Sequence, residues 1–199
     1  MTVYLIGIAG PSGSGKSELA RRLAQRLTAP VISMDSYYRE LHHLTLAERA
    51  AVNFDEPASI DDGLLRQHLA VIRQGQPVEI PVYDFTTHTR LPRWEPLAPA
   101  PYIVVEGLFT LYWEELRRLF DTTVYVDLED EICYARRLAR DIRERGRTAE
   151  SVAWQYRTTV KPMAERYIMP TKRHAHLVVR GDGQLDESVE TVLRHGLDR

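Results

Sequence analysis

The chain opens on an apolar run, Val3 to Ala9, that leads straight into Gly10-Pro11-Ser12-Gly13-Ser14-Gly15-Lys16-Ser17 and then into a segment of helical period. This is the pattern G-x-x-x-x-G-K-[ST] in the strand, loop and helix context it requires. The glycines let successive backbone N–H groups turn toward an anion, and the helix start adds about half a positive charge. In such a loop the lysine, here Lys16, reaches the outer phosphates, and the hydroxyl of Ser17 is a magnesium ligand. Residues 10–17 are therefore expected to bind a nucleoside triphosphate. No other feature narrows the fold so far, because a strand feeding such a loop belongs inside a parallel sheet with helical crossovers.

The rest of the chain supplies that sheet. Short runs at 30–34, 102–106, 123–128 and 177–180 have the β-branched, apolar character of strands buried on both faces. With 3–9 they predict a five-stranded parallel sheet. Leu19, Leu23 and Leu27 recur at helical spacing in one intervening segment, and Leu64, Leu65, Leu69 and Ile72 in another. Cys133, Leu138 and Ile142 are expected to do the same in a third, which is crowded with arginine. The predicted fold class is α/β, a three-layer α/β/α arrangement of the P-loop NTPase type. Two stretches break the alternation. Residues 76–101 carry prolines at 77, 81, 92, 96, 99 and 101 and read as an inserted β-hairpin. Residues 136–147 hold six arginines and read as a lid. Both are expected to be parts of one domain spanning 1–199.

Composition excludes several classes. The 199 residues are 44% hydrophobic and 27% charged, the balance of a folded globular domain and not of a disordered chain. A net charge of -2 argues against a broad nucleic-acid face. No apolar run is long enough for a membrane span, and Cys133, the single cysteine, has no internal disulfide partner. A cytoplasmic protein is expected. The guanine signature N-K-x-D of GTPases is absent.

The acceptor side is marked by acids. Asp35 follows the second strand, at the sheet edge where α/β folds bind ligands, and is placed to take a hydroxyl proton or to hold Mg²⁺. A helix cap is the alternative role there. Glu106 is a lone acid ending a hydrophobic strand, a second metal candidate, and Asp127 is a weaker one. Against 23 arginines there are only three lysines: Lys16, Lys161 and Lys172. Lys16 has its reason in the phosphate loop, where a slim ammonium fits better than a guanidinium fork. Position alone suggests no role for the other two.

Several further blocks stand in a shared order: NFDEP at 53–57, PVYDFTTHTR at 81–90, RRLARDIRERGR at 136–147, QY at 155–156 and VKP at 160–162. In this order and spacing the chain resembles the uridine kinase (uridine–cytidine kinase) family, from the phosphate loop to PTK at 170–172. The resemblance implies transfer of the γ-phosphate of ATP, with GTP left open as donor, to the 5′-hydroxyl of uridine or cytidine with Mg²⁺. It implies that Asp35 is the base for that hydroxyl and that Asp55 binds the ribose hydroxyls. A carboxylate accepts two donors and so suits a vicinal diol. It places Tyr83 and His88 against the pyrimidine, Arg137, Arg147 and Gln155 toward the nucleoside, and Arg140 and Arg145 toward the phosphates. A homotetramer is implied as well. Ala175-His176 and the run 180–184 depart from the family pattern, outside the motifs assigned to chemistry. Two rivals stay open on the residues alone: another small-molecule P-loop kinase of the phosphoribulokinase or pantothenate kinase type, and a nucleotide-binding regulator or ATPase.

Overall fold

The computed structural model describes residues 2–196. In chain order it forms β1 (Tyr4–Ala9), α1 (Lys16–Leu27), β2 (Val31–Ser33), α2 (Leu46–Ala50), α3 (Asp62–Arg73), β3 (Val78–Asp84), β4 (Thr89–Leu97) and β5 (Tyr102–Glu106). There follow α4 (Glu114–Arg117), β6 (Thr122–Asp127), α5 (Asp130–Arg145), α6 (Ala149–Gln155), α7 (Lys161–Met163), β7 (Leu177–Arg180) and α8 (Leu185–Gly196).

Five strands pair in the order β2-β5-β1-β6-β7, every pairing parallel. The expected strands are all present, with ends displaced by one residue at most in β1, β2 and β6. Alternation of side chains sends Leu5 and Ala9 of β1 to one face and Ile6 and Ile8 to the other. On the first face Ile103, Val105 and Tyr125 meet Leu65, Leu69 and Ile72 of α3 and Leu116 of α4. On the second, Val104, Val124 and Val126 meet Leu19 and Leu23 of α1 and Val189 and Val192 of α8. Helices therefore cover both faces, which is what strands this apolar require. No helix among the described residues is long and apolar enough to cross a membrane.

The hairpin expected at 76–101 is a separate two-stranded antiparallel sheet of β3 and β4, with a register shift between Pro81 and Tyr83. The third helix departs from expectation. The buried side chains of α5 are Cys133, Arg137 and Asp141, while Ile142 is 43% exposed. The apolar face read through Cys133, Leu138 and Ile142 is therefore wrong: α5 turns an i, i+4, i+8 row inward that includes two charged residues, because it packs against the phosphate loop.

The two unexplained lysines act as straps. Lys161 donates to Asp130 Oδ2 at 2.8 Å and Lys172 to Asp127 Oδ2 at 2.6 Å. Tyr156 donates to the other Asp130 oxygen at 2.7 Å. Together they fasten the segment 156–174 to the carboxyl end of β6 and the start of α5. Asp127, weighed as a metal candidate, is the acceptor in one of these pairs.

Candidate active site

The phosphate loop leaves β1 at Ala9 and closes on α1, whose first residue is Lys16. Gly13 has φ +86, and a Cβ there would lie 2.3 Å from the Cys133 carbonyl oxygen. Only glycine satisfies both the left-handed backbone and the close approach of α5. Ser14 is fully buried, and its hydroxyl has no hydrogen-bond partner among the described residues. Ser12 is held from outside the loop, accepting from Arg137 Nη1 at 3.0 Å.

Three acidic or hydroxylic groups converge beside the loop. Glu106 is buried at the end of β5, opposite Ile8 of β1 and Ser33 of β2 in the parallel register. Its Oε2 accepts from Ser17 at 2.9 Å and its Oε1 from Ser33 at 3.1 Å. Ser33 also accepts the Asp35 backbone N–H at 3.3 Å, so Asp35 sits in a short turn just past β2. Burial pushes the Asp35 carboxyl up to about 6; the negative charge of Glu106 adds to the rise, and Lys16, Arg145 and Arg140 oppose it. The donor set is all oxygen, the preference of Mg²⁺. Among the described residues no group of three His, Cys, Asp or Glu could hold a metal. A cation at Ser17, Glu106 and Asp35 would thus complete its shell from phosphates and water, as Mg²⁺ usually does.

Asp55 is buried, its backbone N–H bonded to Asn53 Oδ1 at 3.1 Å. Burial raises its pKa, with Arg137, Arg145 and Lys16 acting in the opposite direction. Lys16 and Arg145 act on Asp35 as well, so both carboxylates lie in the field of the same cations. Next to Asp55, Phe54 meets Tyr83 at 6.4 Å between centroids and stacks on His88 at 5.6 Å and 19°. Tyr38 touches both Phe54 and Tyr83 at 5.2 Å. The hairpin residues Tyr83 and His88 thus join an aromatic cluster with Tyr38 and Phe54, which sequence reasoning did not single out. Their only signal was adjacency to the acids in MDSYY and NFDEP. His88 occupies the left-handed region at φ 51, and partial burial lowers its pKa, which favours the neutral ring.

The arginine segment converges on one carboxylate. Asp141 has no exposure to solvent, and its Oδ1 accepts from Arg140 Nε and Nη2 at 2.9 and 2.8 Å. Arg145 Nη1 stands 3.5 Å from Oδ1; Arg137 Nε and Arg147 Nη1 stand 3.5 and 3.6 Å from Oδ2. Gln155 Oε1 accepts from Arg137 Nη2 at 3.1 Å and also from Arg147, which ties α6 to the same cluster. Arg145 lies over the Phe85 ring at 5.7 Å, joining lid and hairpin. The sequence pattern showed an excess of arginine but not that four of them share a single buried acid.

A model of the phosphoribulokinase/uridine kinase family matches residues 5–186. A protein of Chloroflexus aurantiacus called uridine kinase is 43% identical over 198 residues, covering 97% of this chain and 95% of that one. A uridine kinase of Shewanella amazonensis is 43% identical over 187 residues, covering 90% and 88%. Among solved structures, phosphoribulokinase from Rhodobacter spheroides superposes with a TM-score of 0.66 at 14% identity, covering 90% of this chain and 70% of that one, a likeness of fold.

Proposed function

The chain belongs to the phosphoribulokinase/uridine kinase family, and we propose that within it this protein is a uridine–cytidine kinase that transfers the γ-phosphate of ATP to the nucleoside 5′-hydroxyl. The observation that carries the reading is the pairing of two buried or half-buried carboxylates, Asp35 and Asp55, in the field of the same Lys16 and Arg145, with an aromatic wall beside the second. A simple ATPase has no use for a diol acceptor, and a phosphoribulokinase, whose acceptor has no ring base, has none for the aromatic wall beside it.

The roles divide by chemistry. The backbone N–H groups of Gly13 and Gly15 and the ammonium of Lys16 hold the phosphate chain of ATP. Ser17, Glu106 and Asp35 would hold Mg²⁺, which supplies charge neutralisation on the outer phosphates when bound. Asp55 accepts the ribose 2′- and 3′-hydroxyls. Tyr83 and His88 bound the pyrimidine; a neutral imidazole presents a donor or an acceptor according to tautomer, which lets it face uracil O4 or the cytosine amine. Asp35 accepts the proton of the 5′-hydroxyl as its oxygen bonds to the γ-phosphorus and the bridging oxygen leaves with ADP. A carboxyl near 6 is still ionised at neutral pH and is a stronger base than an ordinary aspartate. Arg140 and Arg145 neutralise the transferring group, while Arg137, Arg147 and Gln155 close over the nucleoside. Hairpin 76–101 and lid 136–147 are read as attachments of one kinase domain.

Coupled ADP release with a panel of acceptors tests this. Uridine and cytidine are expected to drive release; purine nucleosides, ribulose 5-phosphate and pantothenate are not. Release without acceptor would replace the reading with an ATPase, and no release with any acceptor with a regulator.

A further inference from the structure

The Asp141 cluster has an unusual internal balance. Four guanidinium groups surround one carboxylate that has no solvent exposure. Residues 137, 141 and 145 lie four apart on α5, so one helix face sets the row, and Arg147 returns to it past the left-handed Gly146. The backbone helps, since Arg147 N–H bonds to the Asp141 carbonyl at 3.2 Å. A carboxylate offers about four lone-pair sites. Only Oδ1 is hydrogen-bonded, by Arg140, whereas Oδ2 has no hydrogen-bond partner among the described residues. Arg137 and Arg147 stand 3.5 and 3.6 Å from Oδ2 and are fixed by hydrogen bonds to Ser12, Gln155 and Ser151, whereas Arg145, 3.5 Å from Oδ1, is gathered by charge without a short bond to the carboxylate. Removing the carboxylate would leave like charges to repel one another at close quarters, and Arg145, which no short bond holds there, would turn outward to water.

We propose that Asp141 is a positioning residue for phosphoryl transfer: its buried carboxylate assembles Arg137, Arg140, Arg145 and Arg147 beside the phosphate loop before substrate arrives, and the loose 3.5 Å contact of Arg145 leaves that guanidinium able to turn to the phosphates. This rests on the kinase reading above. Asp141 touches no reacting atom; it acts through the arginines, chiefly Arg145, which also reaches the hairpin through Phe85.

A double-mutant cycle reads the coupling. Asp141→Asn should fold and lose kcat about 30-fold while the KM for ATP changes less than about threefold. In an Arg145→Gln background the same change should cost less than about threefold more, because the arginine through which Asp141 chiefly acts is already gone. A kcat within twofold of wild type in Asp141→Asn, or losses that multiply in the double variant, overturns the proposal. If the neutral variant does not fold, Asp141→Glu keeps the charge but moves it by one methylene; a roughly tenfold loss of kcat at constant KM for ATP is expected, and wild-type kcat overturns the assignment. Limited trypsin digestion reads the cluster without turnover. Cleavage after Arg143, Arg145 and Arg147 should be at least about tenfold faster in Asp141→Asn, and equal rates overturn the proposal. Wild-type enzyme that releases no ADP with any nucleoside would overturn the proposed function instead, and the digestion result would still stand on its own.

Discussion

Ser17 donates its hydroxyl to Glu106 across 2.9 Å, joining the last residue of the phosphate loop to the last residue of β5. The parallel register makes this contact. Glu106 lies opposite Ile8, one residue before β1 ends, and opposite Ser33 at the end of β2. The start of α1 after β1 and the ends of β5 and β2 thus deliver a hydroxyl, a carboxylate and a second hydroxyl to the same sheet edge, where open α/β sheets bind ligands.

If Glu106 orients Ser17 and shares a cation with it, Glu106→Gln keeps the shape but loses the charge. The expected result is a fall in kcat of about 10²-fold and a higher Mg²⁺ concentration at half-maximal rate. ATP affinity measured without Mg²⁺ should stay within about threefold of wild type. A magnesium titration superimposable on that of wild type would remove Glu106 from the metal site.

Asp35 gives a second test. Its carboxyl is raised by burial and by Glu106, which suits it to take a proton at neutral pH. Asp35→Asn retains a similar volume and one acceptor oxygen but cannot act as a base. Turnover should drop by about 10²-fold or more, with ATP binding by calorimetry nearly intact. Near-wild-type turnover would rule out Asp35 as the base.

The extent to which these positions could be read in advance follows from the physics of each. Strands buried on both faces are nearly continuous apolar runs, and β1, β5 and β6 stand out as such in one dimension. The phosphate loop is local in sequence and so is legible in full. The inward face of α5 is not, because hydrophobic periodicity looks for apolar rows, and here the row is Cys133, Arg137 and Asp141, selected by proximity to Ser12 and the other arginines. Lys161 and Lys172 find partners 31 and 45 residues away, and Tyr38 meets Tyr83 across the same kind of distance. No spacing rule encodes such pairings, which depend on where the crossovers return the chain.

Asp55 carries a pH dependence of definite sign. Burial raises its pKa above the ordinary aspartate value, so as pH falls it takes up a proton earlier than an exposed aspartate would. The carboxylate proposed to accept the two ribose hydroxyls is then lost. Uridine affinity, measured by calorimetry, should weaken on the acid side while remaining flat above neutrality. Asp55→Asn should bind uridine about 10²-fold more weakly and without that acid limb, in line with the loss of charge-assisted hydrogen bonds. An unchanged acid limb in the variant would assign the titration to another group.

His88 tests base recognition most directly, because its two possible contributions can be separated. The ring stacks on Phe54, a contact any flat ring of similar size can make. In the proposed site its nitrogens would supply a hydrogen bond whose direction follows the tautomer, and the lowered pKa favours the neutral ring that leaves the choice open. His88→Phe preserves the stack and deletes the hydrogen bond. The left-handed backbone at φ 51 disfavours the new side chain, so a melting curve must accompany the kinetics. If the nitrogens read the base, kcat/KM should fall about tenfold for both uridine and cytidine, and the ratio between them should change little. A loss confined to one nucleoside would mean that a single tautomer is populated and that the other base is read elsewhere. Unchanged kinetics with both would mean that His88 only shapes the wall, leaving Tyr38, Phe54 and Tyr83 to select by fit alone.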